Sequence, residues 1–302
     1  MPVAFSPANG RTSTIQNMFT QLHATLLAAG WTLVFADADA IGAGTAENPA
    51  WNKAPAVNTN AGRVIYQMPA VAGFPTRWCV ELAVSWGSSN TTMQNVAMRL
   101  GTEAGGDGTL TGAGTTHRAN VNNAAGNATS TEWYVNAYEH GLLLALHIIN
   151  GGFLLALERR RRLDGTVIDD ATAYGCVVGG GNIGAVGTQS AVQQGVAQTR
   201  SVSAGEYNAQ SWAVFATGGG SAVFTLNRMD GATGIPQGPF NVSGGTAGLP
   251  RLFVFLPPND CTAGVDSTLY ADGANRAYHV AVSTSVLHAS SSAMGRVAYA
   301  KE

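Results

Sequence analysis

Four consecutive arginines, Arg159 to Arg162, close the oily run "GLLLALHIINGGFLLALERRRR", and guanidinium groups suit phosphate or carboxylate partners. Just upstream, "EWYVNAYE" sets Trp133, Tyr134 and Tyr138 between two carboxylates, Glu132 and Glu139. Such rings can stack on sugars, and a carboxylate pair is the equipment of glycoside hydrolysis. A third motif, "CVVGGGNIGAVG", puts Gly179, Gly181 and Gly184 at G-x-G-x-x-G spacing with Glu206 further on, the layout of a dinucleotide-binding turn. "DADAIG", from Asp37 to Gly42, opens like a calcium loop.

Each of these weakens against its neighbours. The calcium-like loop has Ile41 at the third ligand position and Asn48 where a bidentate Glu belongs. The glycine spacing is cheap in a chain with 38 glycines, and its would-be helix, "AVGTQSAVQQGVAQT", carries two interior glycines. Glu132 and Glu139 are separated by an odd number of residues, so a strand sends them to opposite faces. The six histidines show no ligand spacing, and neither H-E-x-x-H nor G-x-S-x-G occurs. The three cysteines, Cys79, Cys176 and Cys261, are scattered and odd in number, which suits reduced, buried thiols better than a disulfide framework or a zinc knuckle. The expectation is therefore no catalytic residue, no metal and no cofactor.

The arginine run then needs another reading. On a strand, Arg159 and Arg161 go to one face while Arg160 and Arg162 go to the other, which is a poor way to build one basic patch. We read the run, with Glu139, as a solvated or ion-paired strand end or a candidate subunit interface. Phosphate binding is the remaining option. Trp133, Tyr134 and Tyr138 are candidate surface aromatics for a glycan, set against the common use of strand aromatics as core.

These residues must be positioned by the apolar run itself. As a membrane helix, residues 142 to 157 fall short of the roughly 20 residues a bilayer needs, and "NGG" interrupts them. As a hairpin, Asn150-Gly151 supplies the two positive-φ turn positions. That turn pairs Ile148 with Phe153, Leu146 with Leu155 and Leu144 with Leu157 on one wholly apolar face. His147, Leu154, Ala145, Ala156, Leu143 and Glu158 fall on the second, mixed face. It also sets Glu139 opposite Arg162 and His140 opposite Arg161.

Elsewhere, "STIQNMFTQLHATLLAAG" carries Ile15, Met18, Phe19, Leu22 and Leu26 at helical spacing. Ser13 with Gln16 reads as a capping box, Gly30 as the left-handed terminator, and His23, beside the stripe, as packing or surface. "WTLVFADA" follows as a strand. From there the period is two, in ten or more short runs such as "GRVIYQMPA", "TRWCVELAVSW", "RLFVFLPP" and "GRVAYAKE". The pattern predicts a mostly β chain, an antiparallel β-sandwich or jelly-roll-like fold with one N-terminal α-helix. Residues 1–35 form the helix and first strand, packed on a β-rich body over 36–302 that divides, if it divides, near the glycine-rich stretch 101–126. Only 11% of residues are charged and the formal net charge is -2, which speaks against a nucleic-acid surface. No export signal is visible in "MPVAFSPANG", so synthesis in a cytoplasm is expected.

Several segments together resemble structural proteins of tailed-bacteriophage particles, of the tail or baseplate type. They are the opening helix running into "AAGWTLV", "GRVIYQMPA" before a tryptophan-bearing strand, "LGTEAGGDGTLTGAG", "EHGLLLAL" with "LLALERRRRLDGT", and the closing "MGRVAYAKE". The resemblance implies a non-enzymatic β subunit of the virion, made in the host cytoplasm. Its partners would be copies of itself and neighbouring virion proteins, with neither nucleic acid nor membrane. A receptor- or glycan-binding module at a tail tip, or a capsid decoration or head-fibre protein, is the alternative.

Overall fold

A computed structural model of the chain describes residues 3–5, 15–41, 45–47, 49, 60–86, 93–113, 116–120, 132–148, 151–159, 166–167, 172–180, 195–201, 205–212, 240–242, 245–248, 251–256, 262–271, 274–281 and 296–301. These residues are mostly β, in several antiparallel sheets, with one N-terminal helix. Arg160, Arg161 and Arg162, Ser13, Gly181 and Gly184 lie outside the described residues.

The first strand, β1 (Val3–Phe5), is followed by the helix α1 (Ile15–Ala28). Its stripe behaves as the spacing predicts: Met18, Phe19, Leu22 and Leu26 are fully buried. The helix ends at Gly30, whose φ of 83° only glycine adopts without strain. There Gly30 N–H donates to the Leu27 carbonyl at 2.9 Å and Trp31 N–H to the Leu26 carbonyl at 2.9 Å, the paired bonds of a Schellman terminus. Asp37 caps the one-turn α2 (Ala38–Ile41), its Oδ1 accepting from Ala40 N–H at 2.8 Å. The calcium-like "DADAIG" is thus a capped helical turn over its first residues.

A five-stranded sheet follows, ordered β2 (Thr32–Ala36), β3 (Asn60–Gln67), β4 (Cys79–Trp86), β5 (Met93–Gly101) and β8 (His117–Asn120). Between its last two strands, β6 (Glu103–Ala104) and β7 (Leu110–Thr111) form a small ribbon. Part of the glycine-rich stretch is therefore ordered turn structure that returns to the same sheet. The seven-stranded sheet runs β1, β9 (Glu132–Tyr138), β10 (Gly141–Ile148), β11 (Gly151–Arg159), β12 (Thr172–Gly180), β13 (Gly195–Ser201) and β14 (Gly205–Trp212). Gly179 lies within β12, and the next described strand pairs with it antiparallel, which is not the strand-to-helix crossover of a dinucleotide fold. A two-stranded ribbon, β15 (Phe240–Val242) with β16 (Gly245–Gly248), precedes a four-stranded C-terminal sheet. That sheet is ordered β17 (Phe253–Leu256), β20 (Arg296–Ala300), β19 (Ala274–Val280) and β18 (Asp266–Ala271).

One apolar cluster joins α1 to both large sheets, and alternation builds it row by row. From β3, β4 and β5 come Val64, Leu82 and Met98 in one row and Tyr66, Val80 and Leu100 in the next. From β9, β10 and β11 come Ala137, Leu142 and Leu157, then Val135, Leu144 and Leu155, then Trp133, Leu146 and Phe153. Every one of these is buried. The hairpin is as predicted, but its register is not. Leu146 pairs with Phe153, Leu144 with Leu155 and Ile148 with Gly151, two residues away from the pairing that an Asn150-Gly151 turn dictates. A two-residue shift keeps every side chain on its face, so the sorting into an apolar and a mixed face survives.

His23, expected as packing or surface, packs: it is buried and its Nδ1 lies 2.9 Å from Tyr66 Oη. Burial holds its imidazole below the ordinary value, partly offset by a hydrogen bond with the Glu47 backbone. The unfolded chain therefore binds a proton that the fold rejects. Stability from this group is complete above the ordinary value of 6.5 and is lost as pH falls through the lower folded value. Urea midpoints measured on the two sides of that value will fall further on acidification in the natural chain than in His23→Gln. Equal falls would remove His23 from the account.

Candidate functional site

The mixed face of the seven-stranded sheet is where the chain gathers its polar and aromatic groups. Alternation puts Glu132, Tyr134, Asn136 and Tyr138 of β9 there, with Leu143, Ala145 and His147 of β10 and Leu154, Ala156 and Glu158 of β11. This face is covered by the C-terminal sheet rather than by water. Asn136 and Glu158 are fully buried and His147 is 1% exposed.

At one end of this seam, the row Tyr138–Gly141–Glu158 crosses three strands. Tyr138 O–H donates to Glu158 Oε1 at 2.7 Å over the bare Gly141. A Cβ at Gly141 would lie 2.7 Å from Glu158 Cγ, 2.8 Å from the Leu157 carbonyl and 2.8 Å from Tyr138 Cε1. Glu158 Oε2 accepts the Arg251 N–H at 2.8 Å and faces the Leu252 N–H at 3.5 Å. The Arg251 guanidinium rests over the Tyr138 ring at 5.0 Å, and Tyr278 O–H donates to the Arg251 carbonyl at 2.7 Å. A buried carboxylate with several donors is satisfied as an anion.

At the other end, Tyr134 stacks on Tyr299 with ring centroids 4.3 Å apart, and His147 Nε2 lies 2.6 Å from Tyr299 Oη. His279 also lies against Tyr134, and its Nδ1 meets Asp266 Oδ1 at 2.7 Å while Lys301 donates to Asp266 Oδ2. Those two bonds hold the Asp266 carboxyl below the usual range. Midway, Asn136 Nδ2–H donates to the Ala300 carbonyl at 2.7 Å.

The sequence-predicted residues land here differently from expectation. Trp133, Tyr134 and Tyr138, read as candidate surface aromatics, are 4%, 1% and 2% exposed. They are structural because β9 is an interior strand covered on both faces: Trp133 joins the apolar cluster, and the two tyrosines fill the seam. Arg159, read as part of a solvated or ion-paired strand end or a candidate subunit interface, is fully buried within the chain. The β3–β4 connection covers it, with Phe74 under its guanidinium at 5.1 Å and the Thr76 carbonyl accepting from it. The cross-strand pairs shift with the register: Arg159 N–H donates to the His140 carbonyl at 2.8 Å, so His140 faces Arg159 and not Arg161. Glu139 does sit at the surface, 55% exposed, 4.0 Å from His140 Nε2. Glu132 accepts from Tyr134 O–H, so the two carboxylates that flank the aromatics are in different settings.

Two further groups were not legible beforehand. Glu81 bridges Arg99 at 2.8 Å and Arg63 at 3.2 Å on the other face of the five-stranded sheet, and Arg63 also donates to the Gly108 carbonyl at 3.1 Å. Nearby Cys79 is a free, buried thiol, its value pushed up to about 11 by burial, which makes it a poor nucleophile. Among the described residues, no group of three or more His, Cys, Asp or Glu is placed to hold a metal ion, and no helix is long and apolar enough to cross a membrane. Comparison of the sequence with protein-family models and with curated proteins finds no match.

The Tyr138–Gly141–Glu158 row makes one substitution decisive. Gly141→Ala will cost on the order of 1–3 kcal/mol by urea unfolding, because the Leu157 carbonyl cannot move aside without breaking the β10–β11 ladder. Stability unchanged in Gly141→Ala would mean that the tyrosine does not cross there.

Proposed function

We propose that the chain is a non-enzymatic structural subunit of a tailed-bacteriophage particle, of the tail or baseplate type. The observation that carries this reading is the fate of the residues best suited to chemistry. Trp133, Tyr134, Tyr138, Glu158 and Arg159 are all buried and used to hold one sheet to its neighbours. Side chains spent in this way support a body whose product is its shape. The resemblance of the opening helix, the "EHGLLLAL" strand and the closing "MGRVAYAKE" to virion proteins supplies the particle.

In this reading the two large sheets stack as a β-sandwich through the shared apolar cluster, with the C-terminal sheet as a further layer. Consecutive strands are neighbours through β9 to β14 and through β2 to β5. That order favours stacked meanders over the crossed connections of a jelly roll. The subunit is made in the host cytoplasm and joins copies of itself and other virion proteins, without cofactor, nucleic acid or membrane. A glycan-binding role at a tail tip loses its motivation, since the aromatic residues that suggested it are inside.

The test is the protein content of particles purified from an infected culture carrying this gene. The reading expects the chain in the particles, at a fixed ratio to tail proteins and retained through a salt wash. Confinement of the chain to the particle-free lysate would overturn it.

A further inference from the structure

We propose that the C-terminal sheet is a docked module that the seven-stranded sheet releases on acidification, with the Glu158 carboxylate as the group whose protonation undoes the dock. The first ground is connectivity. Among the described residues, strands β17 to β20 make their ladder bonds with one another and with no other strand. The module can therefore leave as a unit without breaking a described ladder bond of either large sheet, since the described bonds of the junction each involve a side chain.

The second ground is the chemistry of that junction. The five- and seven-stranded sheets share a cluster of apolar side chains, and proton uptake does not change such a contact. The seam with the C-terminal sheet is different. Leu143, Ala145, Leu154 and Ala156 lie buried on the same face of the sheet, but the specific bonds of the seam are polar. Glu158 accepts from Tyr138 O–H, Arg251 N–H and Leu252 N–H. An ionised carboxylate receives these as charge-assisted bonds, whereas a protonated one keeps Tyr138 only if that hydroxyl turns to accept and holds the two amides as weaker neutral bonds. Asn136 Oδ1 is buried without a hydrogen-bond partner among the described residues, so the seam carries a polar cost even when docked.

The other titratable and charged groups around it sort into two sets. Around Glu158 stand Tyr138 and the His140 ring that meets it edge-on, Arg251 over Tyr138, and Tyr278 bonded to the Arg251 carbonyl. Arg159 is next in the chain but on the opposite face. At the far end, buried His147 binds Tyr299 across the seam, with Glu132 bonded to Tyr134 beside it. A proton on His147 places a cation in a site closed to water, which also works against docking. His279, Asp266 and Lys301 act otherwise, because they bind each other within the module. Asp266, bonded by Lys301 and His279, keeps its charge below the usual carboxylate range. Acid therefore weakens the seam while the module's own fastening persists.

Hydroxyl-radical footprinting of the intact chain from about pH 7.5 to about pH 3, below the ordinary carboxylate value of about 4.3, separates the two sets. We expect Tyr138 and Tyr299, at the seam, to gain roughly tenfold in oxidation as pH falls, while Trp78 and Met98, in the apolar cluster, stay protected. Glu158→Gln should show the same selective exposure at neutral pH, and Tyr138→Phe, which removes one donor and keeps the ring, should move the transition to higher pH. Seam and cluster residues gaining together would mean global unfolding and overturn the proposal. So would a seam protected across the whole range. If Glu158→Gln does not fold, the natural chain's pH series and Tyr138→Phe decide it alone.

Discussion

A sheet buried on both faces has no solvent side to which it can turn an awkward group, and this is the condition that the β10–β11 hairpin meets. On one face Leu142, Leu144, Leu146, Phe153, Leu155 and Leu157 lie in the apolar cluster; on the other, His147 and Glu158 lie under the C-terminal sheet. Dry surroundings make every unsatisfied polar atom expensive. Glu158 is tolerated because donors converge on it, and one of them, Tyr138, reaches it because Gly141 leaves room to cross. The same logic extends to Trp31, whose indole N–H reaches the Tyr138 carbonyl at 2.9 Å and ties the helix terminus to the seven-stranded sheet.

The two faces hold the molecule by different physics. Contact between the large sheets depends chiefly on apolar area, which itself takes up no proton, with Arg159 on Phe74 and Thr76 as a polar addition. Contact with the C-terminal sheet depends on directional bonds: Asn136 to a carbonyl of β20, Glu158 to the amides just before β17, and Tyr134 stacked on Tyr299. Directional bonds fix position but fail when one partner changes its proton count. A particle component that must be rigid in one place and adjustable in another can be built from such a pair of joints. That is how the proposed assembly role and the proposed release of the C-terminal sheet fit together.

What the sequence disclosed follows from the range of the forces involved. The α1 stripe, the Gly30 terminus and the two-faced hairpin are local patterns, and they could be read directly. The register could not, because turn chemistry and tertiary packing disagree. An Asn150-Gly151 turn would set Glu158 against Leu143, whereas the observed pairing sets it against Gly141 and brings it to Tyr138. Short or polar strands such as β6, β7, β13 and β18 carry too little β-branched or aromatic content to announce themselves. The misreading of Tyr134 and Tyr138 as exposed has the same origin. Alternation shows which face a residue takes but not whether a distant segment covers that face, and the cover here lies far away in sequence, 164 residues from Asn136 to Ala300.

Covering of the mixed face is the premise on which the seam, the buried aromatics and the proposed structural role all stand. Ala145 sits at its centre, fully buried between Tyr134 and Leu154, and Ala145→Asp probes it most directly. A covered face predicts a loss of at least about 3 kcal/mol in urea unfolding at neutral pH, since the new carboxylate is taken out of water with no partner in place. A stability within about 0.5 kcal/mol of the natural chain, the value of a surface substitution, would mean that the face is open to solvent and contradict the account.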